Sequence, residues 1–85
     1  MNDYKKIINY YGINAQLKKL SEEVYEFEEA VLEKHNKKHI TEEIADILVI
    51  LQQFKEKYNI EEAEINKVMK YKVDRQLRRI EKEKC

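Results

Sequence analysis

Four carboxylates at matching spacing are the residues of this chain that could do chemistry. Glu23 and Glu26 lie three residues apart, and Glu43 and Asp46 repeat that spacing twenty residues later. Asp46 stands inside the otherwise apolar run Ile44–Leu51, where an unpaired charge would be costly to bury. Clustered carboxylates without Cys or His ligands favour a hard cation, namely Mg²⁺ or alternatively Mn²⁺. The pattern therefore predicts a divalent-metal site.

The alternative explanation is that these acids have no functional role and are ordinary solvent-exposed residues. Glu42 and Glu43 lie in a predicted first turn, where the helix dipole favours negative charge. Glu23 and Glu26 lie in the middle of a predicted helix, so the dipole does not account for them. The recurrence of the spacing, together with the apolar setting of Asp46, favours a site over a solvated face.

Composition sets the frame in which these acids must be positioned. The chain has 85 residues, 42% of them apolar and 40% charged, with one Gly and no Pro. This balance is typical of a helical protein and predicts one domain over residues 1–85. A chain this short buries a limited core, so we expect it to oligomerise.

Nothing in the sequence indicates export or membrane insertion. The segment Met1–Lys5 does not resemble a signal peptide, and the apolar run Ile47–Leu51 is too short to span a bilayer. The single cysteine, Cys85, cannot form a disulfide within the chain. We therefore expect a cytoplasmic protein that makes no membrane contact.

Apolar periodicity predicts an all-α fold, a small antiparallel bundle of about four helices. Gly12 is the predicted stop of the first helix and Asn14 the predicted cap of the second, while Asn59 and Glu62 resemble a capping box before the fourth. The predicted core stripe is Leu17, Leu20, Val24, Phe27 and Val31 on the second helix, Ile40, Ile44, Ile47, Leu51 and Phe54 on the third, and Ile65, Met69, Val73, Leu77 and Ile80 on the fourth. The predicted helices cover about Asp3–Tyr11, 14–34, Thr41–Lys57 and 60–83, with the polar segment His35–His39 as a connection.

The heptad positions bring the two acid pairs to one side of the hairpin. If the apolar stripes occupy positions a and d, Glu23 and Glu43 fall at g, and Glu26 and Asp46 fall at c. A short connection makes the second and third helices antiparallel neighbours, so their g flanks face each other. Counted from the connection, the first pair lies roughly 7 Å deeper than the second. The loop must absorb that stagger, or another subunit must complete the site.

A basic fourth helix offers cations for phosphate groups. Residues 66–85 hold eight Lys or Arg and only three acids, although the whole chain has a net charge of zero. We expect phosphate contacts from this helix, and the candidates are Lys70, Lys72, Arg75 and Arg79. We expect no nucleic-acid partner, because the rest of the chain is acidic and carries no known binding motif.

Other polar and aromatic residues have ordinary explanations. His35 and His39 are expected to be loop histidines rather than metal ligands. Tyr10 and Tyr11 could stack on a base, but tyrosines on a short helix are more often core or interface residues. Gln52 and Gln53 end the third predicted helix and are expected to be solvated.

The paired acid motif resembles the signature of a known enzyme family. Glu22-Glu23-x-x-Glu26, followed by Glu43-x-x-Asp46, looks like that of the MazG-like all-α nucleoside triphosphate pyrophosphohydrolases. The segments Gln16-Leu17-x-Lys19-Leu20 and Ala45-Asp46-Ile47 match as well, and the ending Tyr71–Ile80 is similar to that of short phage and Gram-positive members. The resemblance covers about residues 14–80.

The resemblance implies an activity and a role for each acid. The reaction would be Mg²⁺-dependent cleavage of the α–β phosphoanhydride of an NTP or dNTP, giving a nucleoside monophosphate and pyrophosphate. Glu23, Glu26, Glu43 and Asp46 would be the metal ligands. Glu22 would be the extra acid of the first motif, either in the second coordination shell of the metal or helping to position water. Family members form dimers or dimers of dimers, so the resemblance also implies a homodimer or homotetramer. Gln16 is a further predicted substrate contact. Many members carry an Asn on the last helix, near the place where this chain has Asp74. The competing hypothesis is a non-catalytic helical oligomer whose acids lie on the surface.

Overall fold

The computed structural model describes residues 2–34 and 36–84, which form four α-helices and contain no strand. The predicted all-α class is therefore confirmed. Met1, His35 and Cys85 lie outside the described residues, so the predictions made for them are not addressed by the structure. The helices are α1 (Asp3–Tyr11), α2 (Ile13–Glu29), α3 (Lys37–Lys57) and α4 (Glu62–Lys84), and a π-helical turn, Ala30–Lys34, continues α2.

The single glycine separates the first two helices, as the sequence predicts. Gly12 has φ of 92°, a conformation that side chains rarely adopt, and its N–H donates to the Ile8 carbonyl at 2.8 Å. The prediction that Asn14 caps α2 is wrong, because α2 already begins at Ile13 with Gly12 at the N-cap. The chain thus turns from α1 to α2 through one residue.

Side-chain hydrogen bonds cap the first turns of α3 and α4. Asn36 accepts a hydrogen bond from the His39 N–H at 3.1 Å, so α3 begins four residues earlier than the predicted Thr41. Asn59 does not cap α4, because it adopts φ of 55° in the preceding turn. The Glu64 carboxylate instead accepts from the Glu61 N–H at 3.2 Å. The starts of α2, α3 and α4 therefore all differ from the prediction.

Helices α1, α2 and α3 pack against one another, whereas α4 packs against none of them within the described residues. The connection between α3 and α4 is fastened by an ion pair between the Lys55 ammonium and the Glu62 carboxylate. The molecule is accordingly elongated, with extents of 51 × 34 × 21 Å. The predicted apolar stripe of α4 is exposed in the single chain, apart from the half-buried Ile65.

The buried faces of α2 and α3 lie about one residue away from the predicted stripes. Leu17 and Ile44 were expected in the core but are 47% and 43% exposed. The residues that are buried on these two helices and the π turn are Gln16, Glu23, Ala30, Glu43, Ile50 and Gln53. The interface within the chain is therefore partly polar. Of the predicted stripes of α2 and α3, Leu17, Val24, Ile44 and Leu51 are exposed, and the remaining residues are half-buried. Glu23 and Glu43, which were predicted to flank the hairpin, are instead buried in it, whereas Glu26 and Asp46 are exposed.

None of the described helices combines the length and the apolar character that crossing a bilayer requires.

Candidate metal centre

Three of the predicted metal ligands converge between α2 and α3. One carboxylate oxygen from each of Glu23, Glu43 and Asp46 lies within 4.8 Å of the others. Glu23 and Glu43 are only 8% and 6% exposed, while Asp46 lies on the exposed side of the group. The packing of α2 against α3 therefore removes the axial offset that the sequence suggested between the two acid pairs, and no second subunit is needed to bring these three residues together. We call these three residues the acid cluster.

The acid cluster has little internal compensation for its charge. The Lys19 ammonium lies 3.5 Å from Glu23, but its side chain is about half exposed, so the pair is well solvated. The His39 Nε2 lies 3.8 Å from Glu43, a contact that carries charge only when the imidazole is protonated. The second oxygens of Glu23 and Glu43 are buried and have no hydrogen-bond partner among the described residues. Such oxygens need a cation or a donor from outside the chain.

The electrostatics of the acid cluster act on Glu23. Burial raises the pKa of this carboxyl, and the nearby charges of Glu26 and Asp46 raise it further. Lys19 opposes the rise through its charge and a hydrogen bond. A bound divalent cation would have the opposite effect and lower the pKa of each ligand carboxyl, because it would stabilise the ionised form.

The remaining acids of the two motifs lie beside the acid cluster. Glu26 is exposed and lines a second cavity together with Glu29, Glu33, His39 and Glu43. Glu22 is also exposed and lines a larger cavity that Asp46 shares. Both residues are therefore near enough to contribute to a ligand site, although neither belongs to the group of three converging oxygens.

The predicted phosphate-binding cations lie on α4, which does not pack against α1, α2 or α3 of the described chain. Their contacts are local to that helix. Lys70 pairs with Asp74 at 3.2 Å, and the Arg75 guanidinium lies 5.7 Å from the centre of the Tyr71 ring. Lys72 and Arg79 are exposed on the same helix. The single chain thus does not bring these four cations to the acid cluster.

Gln16 and Gln53 form a buried amide pair between α2 and α3. Gln16 Nε2 donates to Gln53 Oε1 at 2.7 Å, and the two residues are 4% and 2% exposed. Both line a cavity of about 580 Å³ that also reaches Asp46. The expectation that Gln53 is solvated is wrong. Its spacing of seven residues from Asp46, two helical turns, was the signal that places both on one face.

The fold and the acid cluster define a class: helical proteins with an oxygen-only site that could hold a divalent cation. The donor set fits such an ion, because three carboxylates converge and two buried oxygens have no partner within the described chain. The model of the MazG nucleotide pyrophosphohydrolase domain matches residues 12–82, most of the chain, and the protein belongs to that family. No curated protein and no solved structure matches the chain.

Proposed function

We propose that this protein is a Mg²⁺-dependent nucleoside triphosphate pyrophosphohydrolase. In the proposed reaction, water adds across the α–β phosphoanhydride of an NTP or dNTP, and the products are a nucleoside monophosphate and pyrophosphate. The observation that carries the proposal is the convergence of Glu23, Glu43 and Asp46 oxygens within 4.8 Å in a member of this family. Mn²⁺ is the alternative metal.

The acid cluster would hold the metal, with Glu26 as the fourth ligand. Bound Mg²⁺ would neutralise phosphate charge and lower the pKa of a coordinated water. Glu26 lies beside Glu43 at the wall of the second cavity, which supports its assignment. Glu22 faces the larger cavity next to Asp46, so its carboxylate is available to accept a hydrogen bond from the attacking water.

The basic residues of α4 would contact the phosphates of a nucleotide held by another subunit. This follows because α4 stands apart from the acid cluster of its own described chain. We assign that role to Lys70, Lys72, Arg75 and Arg79, as the sequence predicts. Among the described residues, Lys18 and Lys19 are the cations that line the larger cavity.

A homodimer or homotetramer is therefore part of the proposal. The buried apolar residues of the described chain are only Ile8, Ala30 and Ile50, which is a small core. Open apolar side chains remain on three helices, among them Leu17, Val24, Ile44, Leu51, Val73 and Leu77. Pairing with a second copy would cover them, since helices with exposed apolar stripes associate through those faces. The proposed substrates are cytoplasmic metabolites, so we expect the protein to act in the cytoplasm.

Product analysis tests this proposal directly. Purified protein is incubated with each common NTP and dNTP in Mg²⁺, and pyrophosphate and orthophosphate are quantified separately. We expect pyrophosphate with a stoichiometric nucleoside monophosphate, and we expect Glu43→Gln to abolish it. The matched control is Glu42→Gln, which removes an exposed carboxylate from the adjacent position.

The competing hypothesis, a non-catalytic helical oligomer, predicts no product from any nucleotide. Release of orthophosphate instead of pyrophosphate would also refute cleavage at the α–β bond. Equal turnover in Glu43→Gln and Glu42→Gln would refute the assignment of the acid cluster to catalysis.

A further inference from the structure

The second cavity is lined by side chains that are all potential metal ligands. It encloses about 370 Å³, and its described lining residues are Glu26, Glu29, Glu33, His39 and Glu43. The acid cluster offers carboxylate oxygens alone, whereas this cavity adds an imidazole nitrogen. An imidazole nitrogen favours borderline transition metals such as Zn²⁺ over Mg²⁺, which prefers oxygen ligands. The second cavity therefore differs in its chemistry from the acid cluster.

Local structure positions His39 at this cavity. The sequence predicted this residue in the connection, but it lies in the first turn of α3. Its N–H donates to the Asn36 side chain at 3.1 Å, which fixes the backbone of that turn. Its imidazole is 34% exposed, and Nε2 lies 3.8 Å from the Glu43 Oε1 oxygen. The ring nitrogen is thus close to a buried carboxylate.

The buried carboxylate of Glu43 is the feature that points to a bound ion. Its side chain is 8% exposed and lines the cavity. Oε1 lies near His39, while Oε2 is buried and has no hydrogen-bond partner among the described residues. A buried carboxylate oxygen without a partner is costly. Because a carboxylate has two oxygens, Glu43 can contribute one to the acid cluster and the other to a second ion.

The π turn after α2 adds two further carboxylates to the same cavity. Glu29 is the last residue of α2, and Glu33 lies in the π turn Ala30–Lys34 that continues it. Backbone hydrogen bonds in a π turn span five residues, and such turns occur frequently at functional sites. Glu29 is half-buried and Glu33 is exposed, so both can reach an ion in the cavity by side-chain rotation.

We propose that the second cavity binds Zn²⁺ through one imidazole nitrogen and several carboxylate oxygens. The proposed ligands are His39, Glu43, Glu29 and Glu33. Zn²⁺ is commonly bound by such a mixture of nitrogen and oxygen donors. The ion would link the end of α2 to the first turn of α3 and so stabilise the hairpin. This site is separate from the proposed reaction, in which Glu26 keeps its role as a Mg²⁺ ligand.

The competing explanation is that these carboxylates are solvated and form no specific site. Any affinity for cations would then come from negative charge, would not distinguish Zn²⁺ from Mg²⁺ and would not depend on the imidazole. The test must therefore separate this cavity from the acid cluster, and the imidazole from the charge.

The experiment uses the full chain with the acid cluster disabled by Glu23→Gln and Asp46→Asn, at two residues that do not line the second cavity. We call this protein the background variant. Binding of Zn²⁺ and, separately, of Mg²⁺ is measured by calorimetry. Two further proteins add His39→Gln or Glu29→Gln to the background variant. The control adds Glu28→Gln, which removes an exposed carboxylate from the adjacent position. Thermal melts verify that each protein folds.

We expect the background variant to bind one Zn²⁺ ion, at least about a hundredfold more tightly than Mg²⁺. Loss of a ligand should weaken Zn²⁺ binding by at least about tenfold in the proteins with His39→Gln and Glu29→Gln. Glu28→Gln should leave Zn²⁺ binding unchanged. Zn²⁺ should also raise the melting temperature of the background variant, and it should do so less once His39 is replaced.

The proposal is overturned if the folded background variant binds no Zn²⁺, or binds Mg²⁺ as tightly as Zn²⁺. It is also overturned if His39→Gln leaves the affinity for Zn²⁺ unchanged. Equal weakening by Glu28→Gln and Glu29→Gln would overturn it as well, because charge alone would then account for binding. The result is distinguishable from failure of the proposed function, since no nucleotide is present and pyrophosphate release is measured separately.

Discussion

Replacing Glu23 with Gln should stabilise the metal-free protein and destroy its response to Mg²⁺. Glu23 is buried, its second oxygen has no partner among the described residues, and Glu43 and Asp46 oxygens lie within 4.8 Å of its carboxylate. Removing its charge relieves repulsion between like charges without changing the shape of the side chain. The same substitution removes a ligand that the metal would need.

The size of the effect follows from the distances in the acid cluster. Two unit charges 4.8 Å apart repel by about 3.5 kcal/mol at an effective dielectric constant of about 20 and by about 0.9 kcal/mol in water. Because Asp46 is exposed, we take the lower part of this range, and loss of the solvated Lys19 pair subtracts little. A gain of about 1 kcal/mol should raise the melting temperature by roughly 4–8 °C in a domain of this size.

The pH dependence gives a second readout of the same repulsion. The pKa of Glu23 is raised above its ordinary value near 4.5, chiefly by burial and then by Glu26 and Asp46. The folded state therefore holds this proton more tightly than the unfolded state does. Its contribution to stability is complete at pH values below about 4.5 and is lost as the pH rises through the raised pKa. Glu23→Gln should flatten that part of the profile.

The assay is thermal unfolding with EDTA and with saturating Mg²⁺, at several pH values. Wild type should gain about 2.7 kcal/mol at a metal concentration of about a hundred times the Kd, and Glu23→Gln should gain little. Glu28→Gln, which removes an exposed carboxylate of the same helix, is the matched control and should behave as wild type. A lower melting temperature for Glu23→Gln in EDTA, or an equal Mg²⁺ response in both proteins, would refute the reasoning.

Three further predictions concern the metal, the basic helix and the assembly. Calorimetry should show Mg²⁺ or Mn²⁺ binding that Asp46→Asn weakens at least about tenfold, because one of three converging charged ligands is lost; unchanged affinity would contradict its role. Lys72→Ala and Arg75→Ala should each raise KM for nucleotide by about three- to tenfold, with metal affinity and melting temperature unchanged; wild-type kinetics in both would assign α4 to association alone. Light scattering at micromolar concentration should give a dimer or tetramer mass, and introducing a charge in Leu77→Asp on the exposed face of α4 should reduce it; a monomer mass for wild type would contradict the assembly.

Local sequence determined the helices and the identity of the chemical groups. The absence of proline and the apolar periodicity predicted four helices, and α1 has its predicted bounds because Gly12 can adopt the positive φ that ends it. The spacing of Glu23, Glu43 and Asp46 predicted a shared metal site, and their oxygens do converge. The bounds of α1 depend on a few neighbouring residues, and the recurring acid spacing is itself a feature of the sequence, so the sequence alone carries both.

The tertiary structure decided which face of each helix is buried. A heptad assignment places the most apolar residues inside, yet α2 and α3 turn Gln16, Glu23, Glu43 and Gln53 toward each other and leave Leu17 among the exposed residues. The periodicity of a single chain cannot tell an internal interface from a surface reserved for a partner, because both favour apolar stripes. For that reason the sequence analysis did not predict that Gln16 and Gln53 would be buried against each other.

The position of α4 was likewise beyond the reach of the sequence. Its apolar stripe predicted packing within the bundle, but α4 lies against no other helix of the described chain, so its cations are remote from the acid cluster. An apolar stripe indicates that this face of the helix is buried against another surface, but it does not tell whether that surface belongs to the same chain or to another molecule. Charge and spacing thus determined which residues could bind metal and phosphate. Helix packing decided that, within the described chain, the carboxylates of the acid cluster converge while the cations of α4 stay remote from them.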